Sequence, residues 1–268
     1  MDLIEARSVL ENKQTLDVVI PVYNEEKSLQ RCVQHLQNFL AKRMSCSWKI
    51  IIADNASKDK TGDIGRELER QYERVHYLYI PQKGRGLALR LAWLGSHSDV
   101  MCYMDVDLST DLEALPLMLK PIFAGHIHVA TGNRLMRRAD IERSLLREIT
   151  SRGYNFLIKM MFPTRKFTDA QCGFKAITRN AAQLLIPQVE NNNWFFDSEL
   201  LLLAERYGYR IHQVPVRWVE DPESTVKVWL TAWEDVKGLL RVRVTKRQPF
   251  RRRIRPAAFP VTQERTVH

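Results

Sequence analysis

The chain has 268 residues, of which 45% are hydrophobic and 27% are charged, and its formal net charge is +10. This composition excludes a disordered chain and is typical of a large α/β domain that buries a core. No apolar run approaches the roughly 18 residues of a membrane-spanning helix, and the N-terminal segment lacks the pattern of a signal peptide. The four cysteines show no C-x-x-C spacing and are expected to be reduced. We therefore expect a cytoplasmic protein without a transmembrane helix, and we expect any contact with the membrane to be peripheral.

Four strand–helix steps are predicted in the first part of the chain. The strands fall at 15–22, 48–53, 75–80 and 100–104, and helices follow near residues 25, 59, 86 and 111. Asn24 is expected to cap the first helix, and a further short strand is predicted at 127–132. The crossovers are long enough for right-handed parallel connections. The predicted fold class is α/β, with a doubly wound, mostly parallel sheet and helices on both faces.

Polar residues follow each of these strands. They are Tyr23-Asn24-Glu25, then Asp54, then Lys83-Gly84-Arg85-Gly86, then Asp105 and Asp107. The carboxyl ends of parallel strands share one edge of a doubly wound sheet, so these groups can line one pocket. Carboxylates at D-x-D spacing suit a hard divalent cation, which in turn suits a diphosphate. Each motif alone has a plainer explanation: a polar turn for D-x-D, a helix N-cap for Asp54 and a glycine turn for G-x-G.

The motifs in combination are more specific. P-V-Y-N-E-E, A-D-N-A-S-K-D-K-T, K-G-R-G-L-A-L-R and M-D-V-D, in this order, resemble family 2 glycosyltransferases of the GT-A fold. F-T-D-A-Q-C-G-F-K-A, N-N-W-F-F-D-S-E-L-L and V-P-V-R-W-V-E-D-P-E-S are similar to its polyprenyl-phosphate branch, which contains dolichyl-phosphate glucosyltransferases and mannose synthases. Two departures are Asn55-Ala56, where the family often has Asp-Gly, and Ser109, where mannose synthases commonly have glutamine.

The resemblance implies an inverting, metal-dependent hexosyltransferase. Its donor would be a nucleotide sugar, with UDP-glucose favoured and GDP-mannose possible, and its acceptor a polyprenyl phosphate. The implied nucleotide-sugar-binding residues are Pro21, Tyr23, Glu25, Asp54, Lys83, Gly84, Arg85 and Asp105, with Asp54 on the base. Asp105 and Asp107 would bind Mg²⁺ or Mn²⁺, with Asp105 shared between the metal and the ribose.

On the acceptor side, the resemblance assigns the phosphate to Arg134, Arg152 and Arg217. Arginine suits this task because its planar group binds phosphate bidentately and stays charged. Asp197 occupies the place of the catalytic base in relatives that use hydroxyl acceptors. A phosphate monoester has a second pKa of roughly 6 and is already largely dianionic. We therefore expect Asp197 to orient the sugar or the acceptor arginines, the alternative being a helix N-cap.

Three residues of T-D-A-Q-C-G-F complete the expected site. Asp169 and Gln171 are expected to shape the sugar pocket. Cys172 is expected to pack rather than to act as a nucleophile, because no histidine lies near it in the sequence.

We expect one GT-A domain over residues 1–240, with a nucleotide-sugar half at about 15–132 and an acceptor half at about 133–240. Residues 155–162 and an amphipathic helix containing Trp229 and Trp233 can belong either to the core or to a membrane interface. Residues 241–268 are predicted to form a flexible basic tail, since eight Lys or Arg residues and no acidic residue fall between 241 and 256. Such a tail can bind an anionic membrane surface, and a separate membrane protein could assist it.

Three alternatives stay open. The chain could be a family 2 transferase that acts on a glycan or another hydroxyl acceptor, with Asp197 as base. A nucleic-acid-binding protein is disfavoured, because aromatic residues do not alternate with the basic ones and no helix-turn-helix or zinc pattern is found. We accordingly expect no nucleic acid partner. A transferase-like protein without catalysis is disfavoured by the intact D-x-D.

Overall fold

The structure is a computed structural model that describes residues 14–136, 139–142, 145–163, 165–219 and 228–245. The strands are β1 (Thr15–Val22), β2 (Ser47–Asn55), β3 (Val75–Ile80), β4 (Val100–Met104), β5 (Val129–Asn133), β6 (Asp140–Glu142), β7 (Phe174–Thr178), β8 (Ile211–Pro215) and β9 (Arg217–Val219). The helices are α1 (Leu29–Arg43), α2 (Thr61–Gln71), α3 (Arg85–Leu94), α4 (Ala114–Phe123), α5 (Leu145–Met161), α6 (Arg179–Leu185), α7 (Phe196–Arg206) and α8 (Val228–Thr245), with a 3₁₀ turn at Ile186–Gln188.

Seven of these strands form one sheet in the order β3-β2-β1-β4-β7-β5-β8. β1 to β4 are parallel to one another, and β5 is parallel to β8. β7 is antiparallel to both of its neighbours, β4 and β5. Its first residue therefore lies at the edge where β4 and β5 end. The predicted α/β class with a mostly parallel sheet is confirmed.

Helices cover both faces of the sheet, and each face has its own apolar core. Buried side chains of α1, α2 and α4 pack on one face, where they meet Val18 and Ile20 of β1. Buried side chains of α3, α6 and α7 pack on the other face with Val19, and Ile158 of α5 and Leu239 of α8 join them. The alternation along β1 follows from the two-residue period of a strand whose two faces are both buried.

The prediction that Asn24 caps the first helix is wrong. α1 begins at Leu29 with Ser28 at the N-cap position. Asn24 has a φ of 56°, and its side-chain oxygen accepts a hydrogen bond from Lys58 N instead. Asn24 therefore ties the end of β1 to the loop after β2.

The four cysteines are buried and free. Burial raises the pKa of the Cys172 thiol to about 12, which agrees with a packing role. None of the helices in the described ranges is long and apolar enough to span a membrane.

The basic tail was predicted to begin at residue 241, but α8 continues to Thr245. Arg241 is held in place because it donates a hydrogen bond to the buried carboxylate of Glu199 at 2.7 Å. Residues 246–268 lie outside the described residues.

Candidate active site

The strands β1, β2 and β4 end at one edge of the sheet. The loop after each of them contains a non-glycine residue with left-handed backbone conformation. Asn24, Ala56 and Leu108 follow β1, β2 and β4, with φ values of 56°, 62° and 53°. Left-handed backbone is unfavourable for residues with a Cβ and tends to occur at functional sites. Ala56 keeps this conformation where the family often has glycine.

Asp54 is buried at the end of β2. Its Oδ1 accepts a hydrogen bond from Ser57 N at 2.9 Å, and its Oδ2 accepts one from the Tyr77 hydroxyl at 2.6 Å. Burial, together with Asp54, raises the pKa of Tyr77, which keeps that hydroxyl a donor. The N-cap alternative for Asp54 is wrong, because α2 begins at Thr61 with Lys60 at its cap position.

The predicted nucleoside residues lie around this turn. Pro21 is buried in β1 and pairs with Ala53. Glu25 N donates to Thr61 Oγ1 at 2.7 Å, which joins the loop after β1 to the start of α2. Lys83 Nζ lies 3.7 Å from the centre of the Tyr23 ring, within cation–π distance. The ends of β1, β2 and β3 therefore form one surface.

The K-G-R-G turn packs tightly against the loop before α7. A Cβ on Gly84 would lie 2.7 Å from Asn192 O, so only glycine fits there. Gly84 N donates to Asn55 Oδ1 at 2.6 Å, and Leu87 N donates to Asn192 O at 3.0 Å. The backbone N–H groups of Gly84 and Leu87 are therefore already hydrogen-bonded within the protein. Lys83 is an exposed cation beside the turn.

Arg85 connects the D-x-D to Asp197. It donates to Asp105 Oδ1 and to Asp197 Oδ2, each at 2.8 Å. The side chain of Asp105 is 42% exposed, whereas that of Asp197 is 4% exposed. The carboxylate of Asp105 is therefore accessible to solvent. The buried Asp197 binds the other side of the Arg85 guanidinium and so holds that guanidinium against Asp105.

Asp197 is strongly paired with cationic and hydroxyl groups. Lys175 Nζ is 3.1 Å from Asp197 Oδ1, and the Tyr103 hydroxyl donates to the same oxygen. Burial alone would raise the pKa of Asp197, but Lys175 and Arg85 outweigh it and hold the pKa below its ordinary value. The N-cap alternative is wrong, because Phe195 occupies that position and Asp197 lies inside α7.

The second carboxylate of the D-x-D is exposed. Asp107 Oδ1 accepts a hydrogen bond from Ser109 N at 2.9 Å. Ser109 Oγ is buried without a hydrogen-bond partner. No group of three or more His, Cys, Asp or Glu side chains that could hold a metal ion occurs within the described residues. The solvent-accessible carboxylates of Asp105 and Asp107 are hard oxygen donors, the ligand type that Mg²⁺ and Mn²⁺ prefer.

The acceptor arginines have different surroundings. Arg134 is bidentate to the fully buried Asp169, with Nε–Oδ2 at 2.8 Å and NH2–Oδ1 at 2.9 Å. Burial alone would raise the pKa of Asp169, but the charge of Arg134 and the hydrogen bonds from its guanidinium and backbone N–H outweigh burial and hold the pKa below its usual value. Arg152 on α5 and Arg217 on β9 are exposed, and Trp218, next to Arg217, lies 5.7 Å from the Arg134 guanidinium.

Sequence reasoning missed several members of this site. Lys175 and Tyr103 lie in strands that otherwise read as apolar, and a charged or hydroxyl-bearing residue in such a strand is the signal that could have identified them. Trp194, whose ring lies 5.1 Å from the Arg85 guanidinium, and Asp235, which accepts a hydrogen bond from Gln171, were also missed.

The sheet order and the carboxylates at its edge define a GT-A fold. The structure of glucosyl-3-phosphoglycerate synthase from Mycobacterium tuberculosis in complex with UDP resembles this chain with a TM-score of 0.67 and 18% identity, covering 91% of this chain and 85% of that one. Another structure of that protein, in complex with Mn²⁺, UDP-glucose and phosphoglyceric acid, also gives a TM-score of 0.67, covering 91% of this chain and 84% of that one at 18% identity.

The chain belongs to glycosyl transferase family 2, whose family model matches residues 17–185. The dolichyl-phosphate beta-glucosyltransferase of Drosophila melanogaster is 32% identical over 80% of this chain and 70% of its own length. Glycosyltransferase AglD of Haloferax volcanii is 34% identical over 84% of this chain. This chain spans 35% of the length of AglD.

Proposed function

We propose that the chain transfers glucose from a nucleotide sugar, UDP-glucose in preference to GDP-mannose, to a polyprenyl phosphate. The observation that carries the proposal is the similarity to dolichyl-phosphate beta-glucosyltransferases, including the Drosophila melanogaster protein at 32% identity and that of Homo sapiens at 29%. Two cations near the acidic strand edge support it: Arg134 directly follows β5, and Arg217 accepts a backbone hydrogen bond from Asp111 N at 3.0 Å. Arg152 on the acceptor side stays a prediction.

The donor would lie along the ends of β1, β2, β3 and β4. Asp54 and Tyr23 would contact the nucleoside, with Lys83 near the diphosphate. Asp105 and Asp107 would hold Mg²⁺ or Mn²⁺, because their exposed carboxylates are the hard ligands that such ions prefer. When bound, this ion would neutralise negative charge on the departing nucleotide.

Arg85 and Asp197 would prepare the site rather than transfer a proton. Arg85 compensates the charge of Asp105, and Asp197 fixes the guanidinium through its bond at 2.8 Å. A carboxylate with a lowered pKa, bound to two cations, is a weak base. A dianionic phosphate acceptor needs no strong base, so its oxygen can attack the anomeric carbon in line and invert the configuration.

The acceptor would reach this site from a membrane surface. Phe156 and Met160 on α5 and Trp233, Leu240 and Val244 on α8 are exposed large apolar side chains, and we call them the outer apolar surface. The exposed cations Lys159, Lys237 and Arg243 lie on the same two helices. An apolar surface bordered by cations fits the interface of an anionic bilayer. A separate membrane protein as partner stays a prediction.

The test is a transfer assay with a short polyprenyl phosphate, Mg²⁺ or Mn²⁺, and either UDP-[¹⁴C]glucose or GDP-[¹⁴C]mannose. We expect label in the lipid fraction with UDP-glucose, and its loss in Asp107→Ala. Labelled glycan without labelled lipid would instead favour the hydroxyl-acceptor alternative. Full activity of Asp107→Ala would contradict the metal assignment.

A further inference from the structure

A buried carboxylate on the C-terminal helix takes no part in the proposed chemistry. Asp235 of α8 is 1% exposed, and its Oδ2 accepts a hydrogen bond from Gln171 Nε2 at 2.7 Å. Its Oδ1 is buried and has no hydrogen-bond partner among the described residues. A buried, unpaired carboxylate oxygen is unfavourable for stability, so its presence calls for an explanation in function.

Gln171 belongs to the loop 169–173, which touches both sides of the candidate site. At the start of this loop, Asp169 binds Arg134. At its end, a Cβ on Gly173 would lie 1.8 Å from Asp105 Oδ2. Gln171 N also donates to Asp169 Oδ1 at 3.2 Å, which braces the loop from within. A shift of Gln171 would therefore change the positions of both Asp105 and Arg134.

α8 is fixed to the body of the protein by two further contacts on the C-terminal side of Asp235. A Cβ on Gly238 would lie 2.4 Å from Phe195 Cδ1, so the helix backbone lies directly on the Phe195 ring. One turn further on, Arg241 binds Glu199. Phe195 and Glu199 flank Asp197 in the sequence. α8 thus packs against both α7 and the loop 169–173, and its opposite side carries part of the outer apolar surface.

We infer that Asp235 is a positioning residue: through Gln171 it fixes the loop 169–173 against Asp105 and Arg134, so that the geometry of the site depends on the docking of α8. The contacts hold independently of any activity, and the inference rests on the proposed function only for its turnover readout.

The protonation of Asp235 supplies a way to vary this contact. Burial, followed by the negative charges of Glu234 and Asp197, raises its pKa to about 7. The ionisable groups that face it in the described residues are Glu234 on its own helix, Asp197 on α7 and the Tyr154 hydroxyl on α5. Because this pKa is raised in the fold, the neutral carboxyl stabilises the docked helix at low pH. That stabilisation is lost as the pH rises through about 7.

The experiment compares the full-length protein with Asp235→Asn, which keeps a neutral carbonyl acceptor for Gln171, and Asp235→Ala, which removes it. Hydrogen exchange of residues 168–174, corrected for intrinsic rates, is measured at pH 6 and pH 8 together with sugar transfer. In the wild type the neutral fraction of Asp235 falls about tenfold between these pH values for a pKa of about 7, so loop protection and turnover should fall in parallel.

Asp235→Asn should keep the loop protected at both pH values, and Asp235→Ala should leave it about tenfold less protected at both. Glu234→Gln is the matched control: this exposed neighbour undergoes the same change of charge. It should keep the pH dependence and move its midpoint to lower pH, because loss of the neighbouring negative charge makes ionisation of Asp235 easier and so lowers its pKa.

Two results would overturn the inference. One is equal loop protection in Asp235→Ala and the wild type, and the other is a pH dependence that persists in Asp235→Asn. If Asp235→Ala does not fold by circular dichroism, the comparison of Asp235→Asn with the wild type decides alone. The expected exchange pattern in a protein that labels no polyprenyl phosphate would keep this inference and contradict the proposed function.

Discussion

The Cα of Gly173 lies against the carboxylate of Asp105, so closely that an added Cβ would be 1.8 Å from Asp105 Oδ2. Gly173→Ala should therefore displace this carboxylate from Arg85. We expect weaker Mn²⁺ binding in the presence of UDP, measured by electron paramagnetic resonance, and turnover lowered about 100-fold. Stability should fall by about 1–3 kcal/mol, as in other overpacked sites.

Gly153→Ala on α5 is the control for that substitution, because nothing lies within 4 Å of a Cβ at this position. It should leave Mn²⁺ binding unchanged and stabilise the helix by about 0.5–1 kcal/mol. Equal Mn²⁺ affinity in the two variants would contradict the contact between residues 105 and 173.

A glycine at position 56, in the left-handed turn after β2, should stabilise the protein. Ala56 has a φ of 62°, so Ala56→Gly should raise the free energy of unfolding by about 1 kcal/mol in chemical denaturation. Ala41→Gly, at an exposed position of α1, should lower it by about 0.5–1 kcal/mol. Shifts of the same sign in both variants would show that residue 56 is not under backbone strain.

The buried charge of Asp197 should stabilise the fold in a pH-dependent way. Asp197→Asn leaves Arg85 and Lys175 without their shared anion, which should lower stability by about 3–5 kcal/mol at pH 7. Because the pKa of Asp197 is lowered in the fold, its contribution is present above about pH 4 and lost as the pH falls through the folded-state pKa. The difference from the wild type should therefore shrink between pH 6 and pH 3.

Asp63→Asn is the matched control for Asp197→Asn. Asp63 pairs with Arg66 on α2, but its side chain is 77% exposed. Solvent screens such a pair, so the change should alter stability far less than Asp197→Asn does, at either pH.

The three acceptor arginines should separate into two groups. Arg134→Gln leaves the buried Asp169 unpaired and should destabilise the protein by about 3–5 kcal/mol. Arg152→Gln and Arg217→Gln change exposed residues, so their stability should stay within about 0.5 kcal/mol. If they bind the acceptor phosphate, their KM for polyprenyl phosphate should rise about tenfold or more while the KM for the nucleotide sugar is unchanged. An unchanged acceptor KM would remove them from the site.

Membrane binding should depend on the outer apolar surface. Trp233 on α8 and Leu117 on α4 are 62% and 60% exposed and belong to helices on opposite faces of the sheet. Trp233→Ser should weaken binding to vesicles that contain phosphatidylserine about tenfold in sedimentation, whereas Leu117→Ser should not. Equal effects of the two substitutions would contradict a defined docking face.

The sequence allowed β1 to β5, and the edge at which β1 to β4 end, to be predicted, because continuous β-branched and apolar runs followed by polar turns are local signals. It did not reveal β6, β7, β8 or β9. In β7, the segment F-K-A-I-T contains a lysine and is interpreted only as part of a motif. Lys175 is tolerated in that buried strand because it is 3.1 Å from Asp197.

Ion pairs between residues far apart in the sequence could not be predicted from the sequence either. Arg85 and Asp197 are 112 residues apart, and one sequence contains no information on which arginine meets which carboxylate. For the same reason Arg134 and Asp169 were assigned to different tasks, although they bind each other. Residue types at strand ends could be predicted, whereas their partners required the tertiary structure.

The antiparallel strand β7 also determines how the chain can be divided. β5 ends at Asn133, yet both of its neighbours, β7 and β8, come from later in the sequence. A fragment that stops after β5 would leave that strand with neither partner and β4 with a bare edge. The segments before and after residue 133 therefore contribute strands to the same part of the sheet, and we expect them to fold together or not at all: separately expressed fragments should become ordered only when mixed.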